Sequence, residues 1–591
     1  MPLAPIDWIL IVAYFALSLA IGLAYRKRAG SSVEEYFLSG RSLSWWMAGT
    51  SMVATTFAAD TPLAVTALVA RNGIAGNWFW WSFALGGMIT VFVYARLWRR
   101  ADVMTDVELV ELRYGGKPAA FLRAFRSLYI ALLVNSIIVG WVTAAMIDIL
   151  KYTVLTGSAA SRGEHDLALI VILFAVVGLY STISGLWGVV VTDFVQFFLA
   201  MGGCIVFAFY AVGHVGGVDA LRDRLVTGHE GGEQIFRVFP DFSAADPWMP
   251  LDIFLIMIFV QWWASWYPSS EPGGGGSVVQ RMASCRDERH SVLATLWFQF
   301  AHYCIRPWPW LVVALAALAV YPDLRTLEDP GVAYPMLIRD IAPAGLRGLM
   351  LVAFLAAYMS TISTQINWAA SYLVGDLYLR FLRPGADPKA IGRVSRGMSV
   401  LVILAGIVAS WLMRDLAVDE AWKLLAALGA GTGAVFMLRW FWWRINAWSE
   451  LSAMGASLVY FSIVSRFVAS NERRLAIVAV LTIATWLVVT FLTRPEKREV
   501  LEAFYERVRP GGGGWGPIAA RKPEVEADRN LGGSIIAAFL ATGVVYLTLP
   551  AIGFLIFGQT VAAFACFAGA AACGILAYSL VRNLGWDRIV R

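Results

Sequence analysis

Two carboxylates stand where apolar runs should continue unbroken. Glu271 lies in WYPSSEPGGGGSVVQR, Trp266 to Arg281, two residues after the run LDIFLIMIFVQWW. Asp60 lies in GTSMVATTFAADTPLAV, where Thr50, Ser51, Thr55, Thr56, Thr61 and Pro62 also interrupt apolar sequence. A backbone surrounded by lipid must satisfy its own hydrogen bonds, so Pro268, Pro272 and Gly273 to Gly276 can break a span only where protein or a water-filled cavity covers the break. An acid at such a break is costly against lipid and belongs in a polar cavity or at the end of a shortened helix. The chemistry these residues support is the binding of ions and polar solutes. The blander reading is that the second span ends at Trp266 and the glycines form a surface loop. Residues 251 to 266 alone, however, make only about 24 Å of helix, short of a crossing.

Bond-making chemistry finds little support. The five cysteines, Cys204, Cys285, Cys304, Cys566 and Cys573, and the five histidines, His165, His214, His229, His290 and His302, are scattered without metal-ligand spacing. No P-loop, serine-hydrolase elbow or dinucleotide fingerprint is present. An enzyme built on Glu271, Asp60 and His302 has no motif behind it.

The elements that must position these residues follow from composition. Of 591 residues, 59% are hydrophobic and only 15% charged, and the mean hydropathy is +0.66. Apolar stretches of bilayer-crossing length recur about fifteen times, which makes the chain an all-α polytopic membrane protein. The first stretch lacks a basic leader and a cleavage site and reads as a retained span. Arg26, Lys27 and Arg28 follow it, which puts the N-terminus outside and the next loop in the cytoplasm. The basic loops containing Arg96 to Arg113, Arg281 to Arg289, Arg380 to Arg396 and Arg494 onward then fall inside, with Arg466, Arg473 and Arg474 the poor fit. The net charge of +6 is a topology signal and gives no reason to expect nucleic acid. The mixed-charge residues 214–249 read as an outer loop. Residues 494–530 read as an amphipathic helix and a glycine-rich linker on the cytoplasmic side. The two interruptions each open a set of five spans, as an inverted repeat requires, and paired broken helices point to a transporter binding site.

EEYFLSGRSLSWWMAGTSMVATTFAAD, GLYSTISGLWGVVVTDFVQFF, VVQRMAS and FLAAYMSTISTQINWAASYLVGDLY, in that order, resemble the sodium/solute symporter family over roughly residues 6 to 445. The resemblance implies a five-plus-five inverted-repeat core with extra N- and C-terminal helices. It divides the chain into an N-terminal span and loop (1–42), a first repeat (43–213), an extracellular loop (214–250), a second repeat (251–445), additional spans (446–493), a cytoplasmic segment (494–531) and C-terminal spans (532–591). It implies a sodium ion, Na+, held by the backbone carbonyls of Ala54, Phe57 and Ala357 and the hydroxyls of Ser360 and Thr361. Unwound carbonyls and hydroxyls can replace the water of a hard cation. The alternative is that Ser360 and Thr361 only bond back to their own helix. In TDFVQ, Asp193 matches an aspartate near the ion's exit and is a candidate for ion release or a second cation site, or else a structural acid at a helix start.

Thr61 and Trp80 stand where sugar carriers of the family have a glutamine and a glutamate, so a sugar is not implied, and Thr56 replaces the proline carriers' aspartate. Asp60, Thr61, Trp80, Trp262, Trp263, Glu271 and Arg306 are the substrate-pocket candidates. Arg306 would pair with a substrate carboxylate or an internal acid, and tryptophans could cage a cationic or ring-bearing solute, although many serve as interface belts. The expected function is sodium-coupled import of a small organic solute by alternating access in the cell or plasma membrane, with no obligatory protein partner evident. A solute sensor, a proton-coupled carrier of the same fold, or a uniport or channel are the alternatives.

Overall fold

The computed structural model describes residues 3–29, 32–155, 165–229, 231–244, 247–264, 272–414, 422, 430–528 and 530–583, and among them the regular elements are helical. In chain order they include α1 (Pro5–Arg28), the bent pair α2 (Trp45–Thr56) and α3 (Asp60–Asn72), α4 (Ile74–Ala101), α5 (Gly116–Thr153), the shorter α6 (Asp166–Thr182), α7 (Ser184–Val215) and the shorter α8 (Leu251–Ala264). They continue with α9 (Gly276–Ser284), α10 (Glu288–Val320), α11 (Leu346–Leu382), α12 (Lys389–Leu412), α13 (Ala447–Val464), α14 (Asn471–Leu492), α15 (Arg498–Val508), α16 (Leu531–Ile556) and α17 (Thr560–Arg582). Ten helices among the described residues are each long and apolar enough to cross a bilayer, eleven with α2 and α3 taken as one span.

Burial separates an inner set from an outer one. The apolar centre of α11 is 94% buried, whereas those of α1 and α12 are 28% and that of α17 is 17% buried. α11 is therefore an axis of the bundle. The outer helices turn Ile9, Val12, Leu404 and Phe564 outward, as a lipid-facing surface requires.

The break between α2 and α3 bends the chain by 58°. Phe57 leaves the helical region (φ −89°, ψ 76°), and Pro62 sits in the first turn of α3, where a missing N–H costs nothing. α6 and α7 run into one another through Gly185, whose φ of 57° and ψ of −161° suit glycine alone. Beyond α8, residues 265–271 are not described, so Trp266, Pro268 and Glu271 lie outside the described residues. From Pro272 onward the glycine run is buried. A Cβ on Gly273 (φ 80°) would stand 3.0 Å from the Tyr94 ring, and Trp98 donates its indole N–H to Gly273 O at 2.6 Å. These glycines are packed against α4 and do not form a surface loop, because no residue with a side chain could come that close. A parallel bridge between Leu43 and Cys285 then ties the entry of α2 to the exit of α9.

The segment after α14 is also packed. Trp515 is buried and donates to Trp440 O at 2.8 Å, and Asp528 pairs with Arg96 at 3.1 Å and Arg100 at 2.9 Å. The glycine-rich residues before Trp515 therefore belong to a fixed wrap and not to a loose tether. α13 is joined to the core by Glu450, which is buried between Arg126 and Arg439, each at 3.1 Å.

Candidate functional site

Two polar clusters meet at the broken end of α2. The first joins four helices. Ser51 on α2 donates to Asp193 Oδ2 at 2.5 Å, and Ser360 on α11 donates to Asp193 Oδ1 at 2.6 Å. Arg281 on α9 reaches the same carboxylate at 3.5 Å, and both side chains are 0% exposed. Arg281 also donates to Ser51 Oγ at 3.2 Å, Thr364 Oγ1 at 2.6 Å and Thr55 Oγ1 at 3.4 Å. Asp193 lies more than two turns past the Gly185 kink, so it is not a helix-start acid. It is a knot of α2, α7, α9 and α11 in which each carboxylate oxygen accepts a hydroxyl.

Directly beside this knot, Thr361 Oγ1 lies 2.9 Å from Thr55 O and 3.1 Å from Ala357 O. The hydroxyl thus spans from its own helix to the open end of α2. Of the remaining candidate ligands, Ala54 O accepts the N–H of Phe57 at 3.0 Å, and the Phe57 ring packs edge-on against Trp310 at 4.6 Å. Ser360 faces Asp193 and not its own helix. The arrangement gathers carbonyl and hydroxyl oxygens at the negative end of a helix. This donor set fits a hard monovalent cation and offers no thiolate or imidazole to a transition metal. Among the described residues no cluster of three His, Cys, Asp or Glu side chains is placed to hold a metal ion.

The second cluster lines a cavity of about 120 Å³ bounded by the α2–α3 break, α4, α5, α10 and α11. Pro307 has no N–H to continue α10. The turn before it widens, with Arg306 N bonded to Ala301 O at 3.0 Å, and a widened turn of this kind re-aims side chains. His302 and Arg306, four residues apart, both face the cavity. Thr56 hydrogen-bonds back to Met52 O and Val53 O, so its oxygen accepts from Arg306 at 3.1 Å and from His302 Nδ1 at 3.1 Å. The Arg306 guanidinium donates to His302 Nε2 at 3.0 Å, which fixes the imidazole as the neutral Nδ1–H tautomer by the network itself. Trp80 stacks on Tyr303 at 5.9 Å, and Phe79 stacks on Trp422 at 6.5 Å.

Opposite in character is Asp60 at the start of α3. It is 2% exposed. Trp422 donates to its Oδ2 at 3.0 Å, and Oδ1 has no hydrogen-bond partner among the described residues. Gln365, one turn beyond Thr361 on α11, also turns an unpartnered buried oxygen, Oε1, to this space.

The cavity therefore brings together Asp60, Thr61, Trp80 and Arg306. Trp262 and Trp263 are not on its wall: Trp262 packs beside Gly86, and Trp263 bonds Phe259 O at 2.7 Å. Sequence reasoning misses four participants. Arg281 falls among the loop bases that report topology, yet it is fully buried; its place in VVQR is the available signal. His302 reads as isolated in the sequence, although its spacing from Arg306 and the proline after it mark one helix face. Gln365 follows the hydroxyl pair by one turn, and Trp422 carries no signal of its own.

The chain is similar to known proteins in both sequence and fold. Residues 36–458 match the model of the sodium:solute symporter family. The chain is 25% identical over 481 residues to the sodium/glucose cotransporter 1 of Oryctolagus cuniculus, covering 74% of this chain and 69% of that one. It is 24% identical over 480 residues to the sodium/myo-inositol cotransporter 2 of the same organism, covering 75% and 67%. In fold it is similar to a substrate-bound, outward-open Na+-coupled sialic acid symporter, with a TM-score of 0.66 and 21% identity over 84% of this chain and 99% of that one.

Proposed function

The chain belongs to the sodium:solute symporter family, and from that premise we propose that it holds its sodium ion between the open end of α2 and the Ala357–Thr361 turn of α11, and its solute in the cavity alongside. It is a sodium-coupled secondary active symporter that works by alternating access, and not an enzyme. The observation that carries the placement is Thr361, whose hydroxyl lies within hydrogen-bond distance of carbonyls on both helices. A cation there would draw in the same oxygens and tie α2 to α11. Thr55 and Thr56 are neighbours, so the ion and the Arg306 end of the cavity share one segment of backbone. That shared segment is the physical basis we assign to coupling.

The finer architecture belongs to this reading. Counting α2–α3 and α8–α9 each as one broken span, five spans run from α2 to α7 and the next set opens with α8, which supports the five-plus-five repeat. The shorter apolar α6 and α8 and the apolar α13 bring the number of spans toward fifteen. The basic clusters after α1 and after α4 support an N-terminus outside and a cytoplasmic wrap of residues 494–530. The solute is a small organic molecule. Each charge crossing is worth about 2.3 kcal/mol per 100 mV and a tenfold sodium gradient about 1.4 kcal/mol, so one ion supports on the order of several-hundred-fold accumulation of an uncharged or net-neutral solute.

The test is a thermal-shift titration of the purified protein with NaCl against matched KCl, in the wild type and in Ser360→Ala/Thr361→Ala. Stabilisation by sodium alone, lost in the double variant, is the expected result. Equal responses to sodium and potassium would remove the ion site and with it the proposed coupling.

A further inference from the structure

We infer that the hairpin between α11 and α12 holds an anionic phospholipid, its phosphate received by Lys389, Arg393 and Arg396 and its acyl chains laid along the outward face of α12. This inference goes beyond the ion and solute sites. From the proposed function it takes only the orientation, which puts the hairpin at the cytoplasmic leaflet.

α12 has two faces. Ile391, Val394 and Met398 turn inward and pack with Tyr36, Phe37 and Val374. On the opposite face Lys389, Arg393, Arg396, Val400, Leu404 and Val408 follow one another at spacings of three and four residues, the repeat that keeps side chains on one side of a helix. All six are exposed. The row is basic for its first two turns and apolar beyond them. Lys389 to Arg396 spans about 10 Å along the axis, which covers the head-group layer of one leaflet, and from Val400 onward the same face is fit for hydrocarbon.

The bases of the hairpin are also unspent. Arg383, Lys389, Arg393 and Arg396 make no side-chain hydrogen bond or ion pair among the described residues. The acid between them, Asp387, caps α12 by accepting the N–H of Ala390 at 2.7 Å. Bases elsewhere on the side assigned to the cytoplasm are used internally: Arg28 on Glu35 at 3.1 Å, Arg123 on Asp376 at 2.7 Å, Arg380 on Glu111 at 2.7 Å and Lys522 on Glu506 at 2.6 Å. Those pairs hold parts of the chain together. A row of bases without acids draws an anion instead, and the positive end of α12 adds to the attraction. Phe381 and Leu382, the latter 76% exposed, place apolar side chains among these bases, as a surface resting on lipid does.

A soluble acidic protein or a nucleic acid would meet the bases and leave the apolar half of the face untouched. A phosphatidylcholine would lie along the apolar half but bring a cationic head group to the bases. An anionic phospholipid matches both halves. Because α12 follows α11 through this hairpin, the bound lipid would fix the cytoplasmic end of the helix that carries the Ala357–Thr361 turn.

The test uses the purified full chain in detergent, which has no sides, so a wrong orientation would leave its outcome unchanged. Native mass spectrometry counts retained lipid during titration with phosphatidylglycerol and with phosphatidylcholine of the same acyl chains, with inorganic phosphate and polyglutamate as competitors. Phosphatidylglycerol is expected to bind more tightly by on the order of a hundredfold, about fivefold for each of the three bases. Lys389→Gln/Arg393→Gln/Arg396→Gln should bring the two lipids to near equality. Lys389→Arg/Arg393→Lys/Arg396→Lys should keep the preference, which separates loss of charge from damage to the fold. Equal binding of the two lipids by the wild type, or a preference that survives the triple glutamine variant, would overturn the proposal. Displacement of the lipid by polyglutamate would overturn it in favour of a soluble acidic partner, and displacement by inorganic phosphate at the same concentration as the lipid would overturn it in favour of a free anion.

Discussion

Asp193 and Asp60 are both acids buried at the broken first helix, and their surroundings differ completely. Asp193 accepts Ser51 on one oxygen and Ser360 on the other, with Arg281 against it. Asp60 accepts Trp422 on one oxygen and nothing among the described residues on the other. The first is saturated by four helices and therefore holds them in register. The second is held by the Trp422 indole and has capacity left over, the condition of a group that meets its partner only when a ligand arrives. Burial and residue type are the same in the two cases; in the reading proposed here, the count of satisfied oxygens separates an acid that ties helices together from one that receives a ligand.

The largest effect that would break this contrast is on stability. Asp193→Ala leaves Arg281 buried without its counter-charge and should cost about 3–5 kcal/mol, read as a fall in the thermal unfolding midpoint in detergent. Asp60→Asn should cost less, about 1 kcal/mol, because the amide oxygen still accepts from Trp422. If Asp60→Asn were the more damaging of the two, the assignment of roles would be reversed. Next in size is Thr361→Ala, which removes one hydroxyl of the proposed ion site: the sodium concentration needed for half-maximal stabilisation should rise about tenfold or more, with the fold intact by circular dichroism. Smallest is Trp422→Phe. It keeps the stacking on Phe79 and removes only the hydrogen bond to Asp60, so solute affinity should fall by about threefold to tenfold while sodium affinity stays where it was, as measured by titrating each ligand separately.

Part of this arrangement is legible in the sequence. The α2–α3 break is written in an Asp-Thr-Pro run inside apolar sequence, because a polar run and a proline cannot sit in lipid. The glycine run is legible as interior for the same reason, and the tight approach of Gly273 to Tyr94 and Trp98 gives the cause. Ser360 and Thr361 emerge through the resemblance and not through spacing. Arg281 is misplaced because a charge-based topology argument treats every arginine near a span end as solvated, and it cannot foresee three hydroxyls and a carboxylate converging on one guanidinium. Trp422 is invisible for a different reason: it gains its role from Asp60, more than three hundred positions away in the chain, and hydropathy carries no information about such a contact. His302 shows its spacing from Arg306, but its bond to the distant Thr56 is equally out of reach.

One measurement bears most directly on the division of labour between the ion and the solute: the sodium dependence of intrinsic tryptophan fluorescence, recorded side by side for the wild type, Thr361→Ala and Asp60→Asn. The account predicts a sodium-specific change in the wild type, its loss or a shift to much higher sodium in Thr361→Ala, and a wild-type response in Asp60→Asn. A normal sodium response in Thr361→Ala with its loss in Asp60→Asn would contradict the account and move the ion from the α2–α11 junction into the cavity.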